Sequence, residues 1–180
     1  MNLKTKIKLK IGHISGVRSR DLIINNDDRG ILYEMLRMDW DEVYGSLTLD
    51  PKLHAPYWEQ KIKQLYIVQN HDMAIRAYHK HEHLVDIFCL VRGHAKFILV
   101  DDRPKCNTFG TMEIINVCDK KPEILIVPAG IFHGWKGSPD CILVSVANDL
   151  YKGPEATGEI DEERIPWDTF GATIWETQFK

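Results

Sequence analysis

The residues in this sequence best suited to chemistry are four histidines and one carboxylate. His79, His81 and His83 alternate along the chain, and Asp86 follows three positions after the last of them. Alternate residues point to the same face of a β-strand, so this spacing would direct all three imidazoles into one cavity. The fourth histidine, His133, belongs to the later segment Pro-Ala-Gly-Ile-Phe-His-Gly-Trp. Imidazole and carboxylate groups can transfer protons near neutral pH or bind a divalent transition metal.

These residues resemble the two motifs of cupin barrels. The first motif, His-x-His followed by an acidic residue and a glycine, is matched by His79, His81, Asp86 and Gly93. The second motif, Pro-x-Gly-x-x-His, ends at His133. In metal-binding cupins such residues form a site of three histidines and one carboxylate, so the resemblance implies these four side chains as metal ligands. In a cupin without metal the same histidines would act as acids, bases or hydrogen-bond donors, and the sequence leaves both alternatives open.

The segments that would position these residues have the pattern of short β-strands. Runs rich in β-branched and aromatic residues predict strands at residues 64–69, 84–91, 95–100, 112–117, 123–127 and 141–147. Turn-forming sequences separate them at intervals too short for the helices that connect parallel strands, which favours an all-β sandwich or barrel. Helical character is confined to the flanks, where residues 33–37 could form a strand or a short helix and residues 56–64 one or two helical turns. The charged run 161–164 predicts a solvated face.

Length and composition favour one ordinary globular domain. The chain has 180 residues and a net charge of −3, so it lacks the basic excess of a nucleic-acid-binding surface. It has no apolar run near the roughly 20 residues that a membrane span needs, and no secretory signal pattern. We therefore expect a cytoplasmic protein that binds neither nucleic acid nor membrane. We predict a single cupin domain over 1–180, with a barrel core at about 64–150, an N-terminal strand region at 1–63 and a C-terminal arm at 151–180.

A longer series of motifs resembles the dTDP-4-dehydrorhamnose 3,5-epimerase family, the RmlC-like cupins. The matching segments are Asp27-Asp-Arg-Gly30 with Glu34, Ile75-Arg-Ala-Tyr-His79, Val100-Asp-Asp-Arg103, Asn107-Thr-Phe-Gly110, Ile126 to Trp135, and Ile165-Pro-Trp-Asp168. They occur in the family's order from about residue 22 to 176. The resemblance implies an all-β jelly-roll barrel with short flanking helices. It also implies a homodimer that exchanges N-terminal strands, and a nucleotide-diphosphate sugar as substrate.

The resemblance also implies roles for individual residues. His79 matches the family's catalytic base, which removes a proton next to the sugar carbonyl, and Asp168 matches the carboxylate that orients it. Arg29, Glu34 and Arg76 match residues that bind the nucleotide-sugar, and guanidinium groups suit phosphate oxygens because they donate two hydrogen bonds at once. Four further residues are expected to contact the substrate: His81, Asp86, His133 and Trp135.

Two departures mark the chain as a divergent member of the resembled family. Asp86 stands where the family has the lysine that stabilises the enolate, and the segment 143–146 lacks the family's proton-donating tyrosine. Ser145, in that segment, has too high a pKa to replace it, and Tyr78 or Tyr151 would have to stand in. We expect a nucleotide-sugar epimerase or isomerase in surface-polysaccharide precursor synthesis that needs no cofactor. The alternatives are a metal-dependent cupin isomerase or dioxygenase using the three-histidine, one-aspartate site, and a non-catalytic sugar-binding cupin.

Overall fold

The computed structural model describes residues 9–37, 39–40, 62–71, 74–151 and 161–177. In these ranges the chain forms thirteen β-strands and one 3-10 helix, Ala172–Trp175. The strands are β1 Lys10–Ile11, β2 Arg18–Asp21, β3 Asn25–Asp27, β4 Gly30–Leu32, β5 Gln64–Gln69, β6 Ile75–Lys80, β7 Asp86–Arg92, β8 His94–Asp101, β9 Thr111–Cys118, β10 Glu123–Val127, β11 Ile131–Gly137, β12 Ile142–Ala147 and β13 Glu163–Arg164. No helix in these ranges has the length and apolarity to span a membrane.

Two sheets form a jelly-roll sandwich, as predicted. One sheet has six strands in the order β1-β9-β8-β11-β6-β13, and the other has five in the order β2-β10-β7-β12-β5. The strands pair antiparallel except for β1 with β9. A separate two-stranded hairpin, β3–β4, carries Arg29 in its turn. The all-β prediction and the cupin barrel are confirmed.

The central strands of both sheets are covered on both faces, which explains the continuous apolar runs in them. In β7, Phe88 and Leu90 face the interior of the sandwich, where they pack with Phe97 and Leu99 of the other sheet. The alternate residues of β7, such as Cys89, pack into a second cluster on the outer face. A third cluster covers the outer face of the six-stranded sheet and includes Tyr78, Phe132 and Trp175. Since side chains alternate between faces, only a strand buried on both sides can be apolar at nearly every position.

The predicted strands are confirmed within two residues, whereas the two flanking segments with helical character are not helical in the residues that the structure describes. Residues 33–37 form no helix, and of 56–64 only 62–64 are described, where coil leads into β5. Tyr33 and Leu36 instead pack as irregular chain against the outer cluster of the five-stranded sheet. Tertiary burial of their apolar side chains therefore outweighs local helix preference. The C-terminal arm packs back on the sandwich, because β13 pairs with β6.

Candidate active site between the two sheets

The four motif residues meet inside the sandwich. His79, His81, Asp86 and His133 each contribute a nitrogen or oxygen atom, and these atoms all lie within 4.8 Å of one another. His79 on β6 is directly opposite His133 on β11, with ring centroids 4.1 Å apart. Asp86 begins β7 in the facing sheet, and His81 follows the end of β6. We call these four residues the histidine–aspartate cluster.

Gly134 allows the close approach of β6 and β11 that creates this cluster. The pairing of these strands shifts register between His133 and Trp135. A Cβ atom at Gly134 would overlap the side chain of Ala77 and lie 2.7 Å from the Ala77 Cα atom. The absent side chain therefore lets β6 lie against β11 next to His79 and His133.

Backbone carbonyls fix the orientation of two histidine rings in the cluster. The Nδ1 atom of His133 lies 3.0 Å from the carbonyl oxygen of Ile131, and Nδ1 of His81 contacts the carbonyl oxygen of Asp161. A carbonyl can only accept a hydrogen bond, so each Nδ1 carries the proton and donates it. In the neutral ring, each Nε2 atom then presents a lone pair to the centre of the cluster.

Both Nε2 atoms approach the same carboxylate oxygen. Oδ2 of Asp86 lies 3.1 Å from Nε2 of His133 and 3.6 Å from Nε2 of His81. Asp86 Oδ2 and His133 Nε2 are buried and make no aligned hydrogen bond. An ionised carboxylate and two lone pairs are all acceptors, so this arrangement requires a shared proton or a cation.

The surroundings of His79 favour its neutral imidazole. Burial lowers the pKa of His79 well below its usual value, and the neighbouring His133, His81 and Arg164 lower it further. A neutral imidazole has a free lone pair, which can accept a proton or bind a metal ion.

His79 and His81 open onto a cavity of about 600 Å³ between the sheets. This volume is in the range of small-molecule binding sites. Its polar and charged lining residues are Gln64, Tyr66, Arg76, Tyr78, His79, His81, Tyr151, Glu162 and Arg164. The apolar part of the lining includes Phe88 and Trp135. The site therefore has the buried histidine–aspartate cluster and two arginines along one cavity.

The segment 161–164 borders the cavity. The prediction that it forms a solvated face holds for its last two residues, which are exposed, but not for its first two, which are partly buried. Glu162 accepts hydrogen bonds at 2.9 Å from the Tyr151 hydroxyl and from Nε of Arg164, and its side chain is 7% exposed. Arg164 also donates to the Tyr151 hydroxyl at 3.1 Å. Pairing of β13 with β6 places Arg164 directly opposite His79. The charged run alone gave no signal for this placement, because it depends on a partner strand distant in sequence.

Asp161 holds the turn that carries His81. Its carboxylate accepts hydrogen bonds from the backbone N–H groups of Glu82, His83 and Leu84, at 2.7 to 3.3 Å. Since β6 ends at Lys80, the alternation predicted through all three histidines stops there. His83 is exposed, which corrects its predicted place in the cavity.

Of the residues predicted to bind substrate, two more lie along the cavity. Arg76 lines it and donates from Nε to Oδ1 of Asn70 at 3.1 Å. Trp135 is 3% exposed and stacks on Phe97 with ring centroids 6.2 Å apart, so it is the apolar floor of the cavity. Away from the cavity lining, Arg103 donates two hydrogen bonds of 2.8 Å to the carboxylate of Asp101 at the end of β8.

The other two predicted catalytic residues, Tyr78 and Asp168, have side chains that lie away from His79, although Tyr78 is among the residues at the cavity wall. The ring of Tyr78 packs 5.0 Å from Phe170 and 5.4 Å from Trp175, in the outer cluster of the six-stranded sheet. Asp168 is exposed, in a turn that the Gly171 N–H group closes by donating to the Asp168 carbonyl oxygen. The pairing with β6 continues from β13 to Ile165, which exchanges two backbone hydrogen bonds with Tyr78. The chain turns away after Ile165, and no contact joins Asp168 to His79 in the described residues.

Arg29 and Glu34 also lie away from this cavity. The Arg29 side chain is 85% exposed at the tip of the hairpin and pairs with Asp27. Glu34 pairs with Arg37 at 3.0 Å. Neither residue is among those lining the cavity.

Two curated proteins are similar to the chain over most of its length. The "Probable low-salt glycan biosynthesis epimerase Agl13" of Haloferax volcanii is 30% identical over 159 residues, which span 87% of this chain and 90% of that protein. The spore coat polysaccharide biosynthesis protein SpsL of Bacillus subtilis is 28% identical over 173 residues, 93% of this chain and 99% of that protein. No protein-family model matches the chain.

A solved structure shares the fold. It is the dTDP-6-deoxy-D-glucose-3,5-epimerase RmlC of Legionella pneumophila in complex with dTDP-4-keto-L-rhamnose. The match has a TM-score of 0.70 at 18% identity and covers 87% of this chain and 76% of that chain. At this identity the likeness supports the architecture of the sandwich.

Proposed function

The chain belongs to the dTDP-4-dehydrorhamnose 3,5-epimerase (RmlC-like cupin) family, and on this premise we propose how its cavity epimerises a nucleotide sugar. Carbon atoms next to the carbonyl of a 4-keto sugar have acidic protons. The enzyme removes such a proton and returns one to the opposite face of the same carbon. The names of the two relatives, both from glycan or polysaccharide biosynthesis, support a place in surface-polysaccharide precursor synthesis.

His79 is the base in this proposal. The observation that carries it is the position of His79, whose imidazole lies at the wall of a cavity large enough for a sugar and within the histidine–aspartate cluster. A proton can transfer only to a group that is unprotonated and within hydrogen-bond reach, and His79 meets the first condition at neutral pH.

The two cavity arginines would bind the diphosphate of the substrate. Arg76 binds Asn70 through Nε, so its two terminal nitrogens do not take part in that hydrogen bond. Arg164 lies directly opposite His79 in the pairing of β13 with β6. A guanidinium group binds phosphate oxygens by parallel hydrogen bonds.

We propose that the active protein is a homodimer, as the family resemblance implies. The β3–β4 hairpin has exposed apolar side chains at Ile31 and Leu32, which are 67% and 62% exposed. Packing this hairpin against a second copy would bury them and would carry Arg29 toward the cavity of the other subunit. Sedimentation equilibrium tests the dimer.

We also propose a cytoplasmic location, because nucleotide sugars are made in the cytoplasm.

The test of the function is solvent deuterium incorporation. We expect the enzyme in heavy water to place deuterium on the carbon next to the carbonyl of a dTDP-4-keto-6-deoxyhexose, detected by mass spectrometry and proton NMR. His79→Gln should reduce incorporation by about 10²-fold or more, the usual contribution of a general base. His94→Gln, at an exposed histidine, is the matched control. Absence of exchange with every 4-keto nucleotide sugar offered would contradict the proposal.

A metal-dependent reaction is the second candidate, and the geometry of Asp86 favours it. Three imidazoles and a carboxylate fit Mn, Fe, Ni, Cu or Zn, and the Nδ1 hydrogen bonds of His81 and His133 are of the kind that orient metal ligands. A bound divalent ion would supply positive charge to the carbonyl oxygen, the role of the absent lysine. Near-stoichiometric metal in untagged protein, lost in His81→Ala and kept in His94→Ala, would support this candidate.

A further inference from the structure

We propose that Tyr66, on the edge strand β5, is the catalytic residue that returns the proton to the sugar carbon on the face opposite His79. This inference rests on the proposed epimerase function and completes it. An epimerase needs a donor on the far side of the sugar from its base. The segment 143–146 contains no tyrosine, so the donor has to come from another strand.

The strand register directs Tyr66 into the cavity. Tyr66 pairs with Ser145 on β12, and Ser145 pairs with Phe88 on β7, so the three residues form one row across the sheet. Residues directly opposite one another in antiparallel strands point to the same face. The Phe88 ring lies 5.8 Å from the His133 ring, inside the sandwich. Tyr66 therefore faces the same interior, and it lines the cavity.

Tyr66 and His79 come from different sheets. β5 is the edge of the five-stranded sheet, whereas β6, which carries His79, belongs to the six-stranded sheet. A planar enolate held between the sheets would present one face to each of them. The base on one wall and the donor on the other give inversion at carbon, which is the outcome that defines an epimerase.

The chemical state of Tyr66 suits a donor. Burial and the nearby carboxylate of Asp86 raise the pKa of Tyr66 to about 12, although a hydrogen bond with Ser145 partly opposes them. The hydroxyl therefore keeps its proton at neutral pH. It is also accessible to substrate, because the residue is 37% exposed.

The proposed reaction removes one proton from the sugar carbon and adds another to the opposite face of the same carbon. His79 takes the C–H proton, and the electron pair of that bond moves to the carbonyl oxygen. When the carbonyl re-forms, the Tyr66 O–H bond breaks and a new C–H bond forms on the opposite face. Tyr66 is left as phenolate and His79 as imidazolium, and exchange with water at the cavity restores both.

The other tyrosines near the site are less suited to this step. The Tyr78 ring lies between Phe170 and Trp175 on the outer face of its sheet. The Tyr151 hydroxyl already donates to Glu162, so it would have to break that bond first. Ser145 is fully buried and does not line the cavity.

The experiment compares Tyr66→Phe with the wild type in heavy water, on the same dTDP-4-keto-6-deoxyhexose. We expect the rate of epimer formation to fall by about 10²-fold or more, the usual contribution of general acid catalysis. Deuterium should still enter the recovered, unepimerised sugar, because His79 can return a deuteron to the face it attacked. Tyr33→Phe, the same change on the outer face of the same sheet, should behave as wild type.

Each outcome has a distinct meaning. Wild-type epimerisation by Tyr66→Phe would overturn the role of Tyr66 and leave the epimerase function standing. Exchange without inversion in Tyr151→Phe, and not in Tyr66→Phe, would move the role to Tyr151. If the wild type exchanges no deuterium, the proposed function fails and the Tyr66 assignment falls with it. A thermal unfolding midpoint close to that of Tyr33→Phe checks that Tyr66→Phe is folded.

Discussion

Nε2 of His133 lies 3.1 Å from Oδ2 of Asp86, and both atoms are buried without an aligned hydrogen bond. Because Nδ1 of His133 donates to the Ile131 carbonyl, Nε2 has no proton to offer unless the ring is charged. A buried carboxylate facing a lone pair is unfavourable until a proton or a cation lies between them. This relationship is the physical basis of the second candidate function.

The first prediction concerns metal-induced stabilisation. We expect Mn²⁺, Ni²⁺ or Zn²⁺ to raise the thermal unfolding midpoint of metal-stripped wild-type protein, since a ligand of the native state stabilises it by about 2.7 kcal/mol at one hundred times its dissociation constant. Asp86→Ala should abolish the increase, which is measured by differential scanning calorimetry. The exposed Asp168→Ala is the matched control and should keep it. An equal midpoint with and without each metal would exclude the metal-dependent candidate.

The second prediction concerns the cavity arginines. Arg76→Met and Arg164→Met should each raise the KM for a nucleotide-diphosphate sugar by about tenfold or more, because a hydrogen bond to a charged group contributes roughly 1.5–3 kcal/mol. Steady-state kinetics check this. Lys120→Met removes a positive charge from a side chain that is 90% exposed, and KM should not change. Unchanged KM in both arginine variants would place the diphosphate elsewhere.

The third prediction concerns the pair Asp101–Arg103. Burial opposes ionisation of Asp101, but hydrogen bonds from Arg103 and Thr108 outweigh it and lower the pKa of Asp101. Asp101→Asn should lower the free energy of unfolding at pH 7 by about 2 kcal/mol, as for other hydrogen bonds to a buried charge. Urea unfolding of both proteins measures the difference.

The sign of the pH dependence follows from the lowered pKa of Asp101. Its contribution to stability is fully present above the pKa of the unfolded state, about 3.9. It is lost as the pH falls through the lower pKa of the folded state, because the unfolded chain binds the proton more readily. The difference between wild type and Asp101→Asn should therefore stay constant from pH 7 to about pH 5 and shrink below pH 4. A difference that grows in acid would contradict this assignment.

The fourth prediction concerns Gly134. Gly134→Ala should destabilise the protein by about 1–3 kcal/mol, the usual cost of overpacking, and should separate β6 from β11. The catalytic rate should fall by more than the loss of folded protein explains, because His79 and His133 lie beside the overlap with Ala77. Gly12→Ala is the control, because its new Cβ atom would make an ordinary contact of 3.6 Å with Thr111. Equal activity in the two variants would show that the close approach at Gly134 is not required.

The sequence predicted the histidine–aspartate cluster because its motifs are local. His79 and His81 are two positions apart at the end of one strand, and Asp86 begins the next, so a single turn brings them together. The strands were predictable for a similar reason, since burial on both faces leaves a continuous apolar run. The same local pattern failed at His83, where the hydrogen bonds of Asp161 replace strand pairing with a turn.

Only the tertiary structure decided which other side chains reach the cavity. Arg164 lies opposite His79 because β13 pairs with β6, and Tyr66 faces the interior because β5 pairs with β12. Asp168 lies outside because the pairing with β6 ends at Ile165, three residues earlier. Strand pairing between distant segments depends on how all the apolar faces pack at once, so no short stretch of sequence encodes it. The sequence by itself determined the chemical groups at the centre of the site, and the packing of two sheets decided what surrounds them.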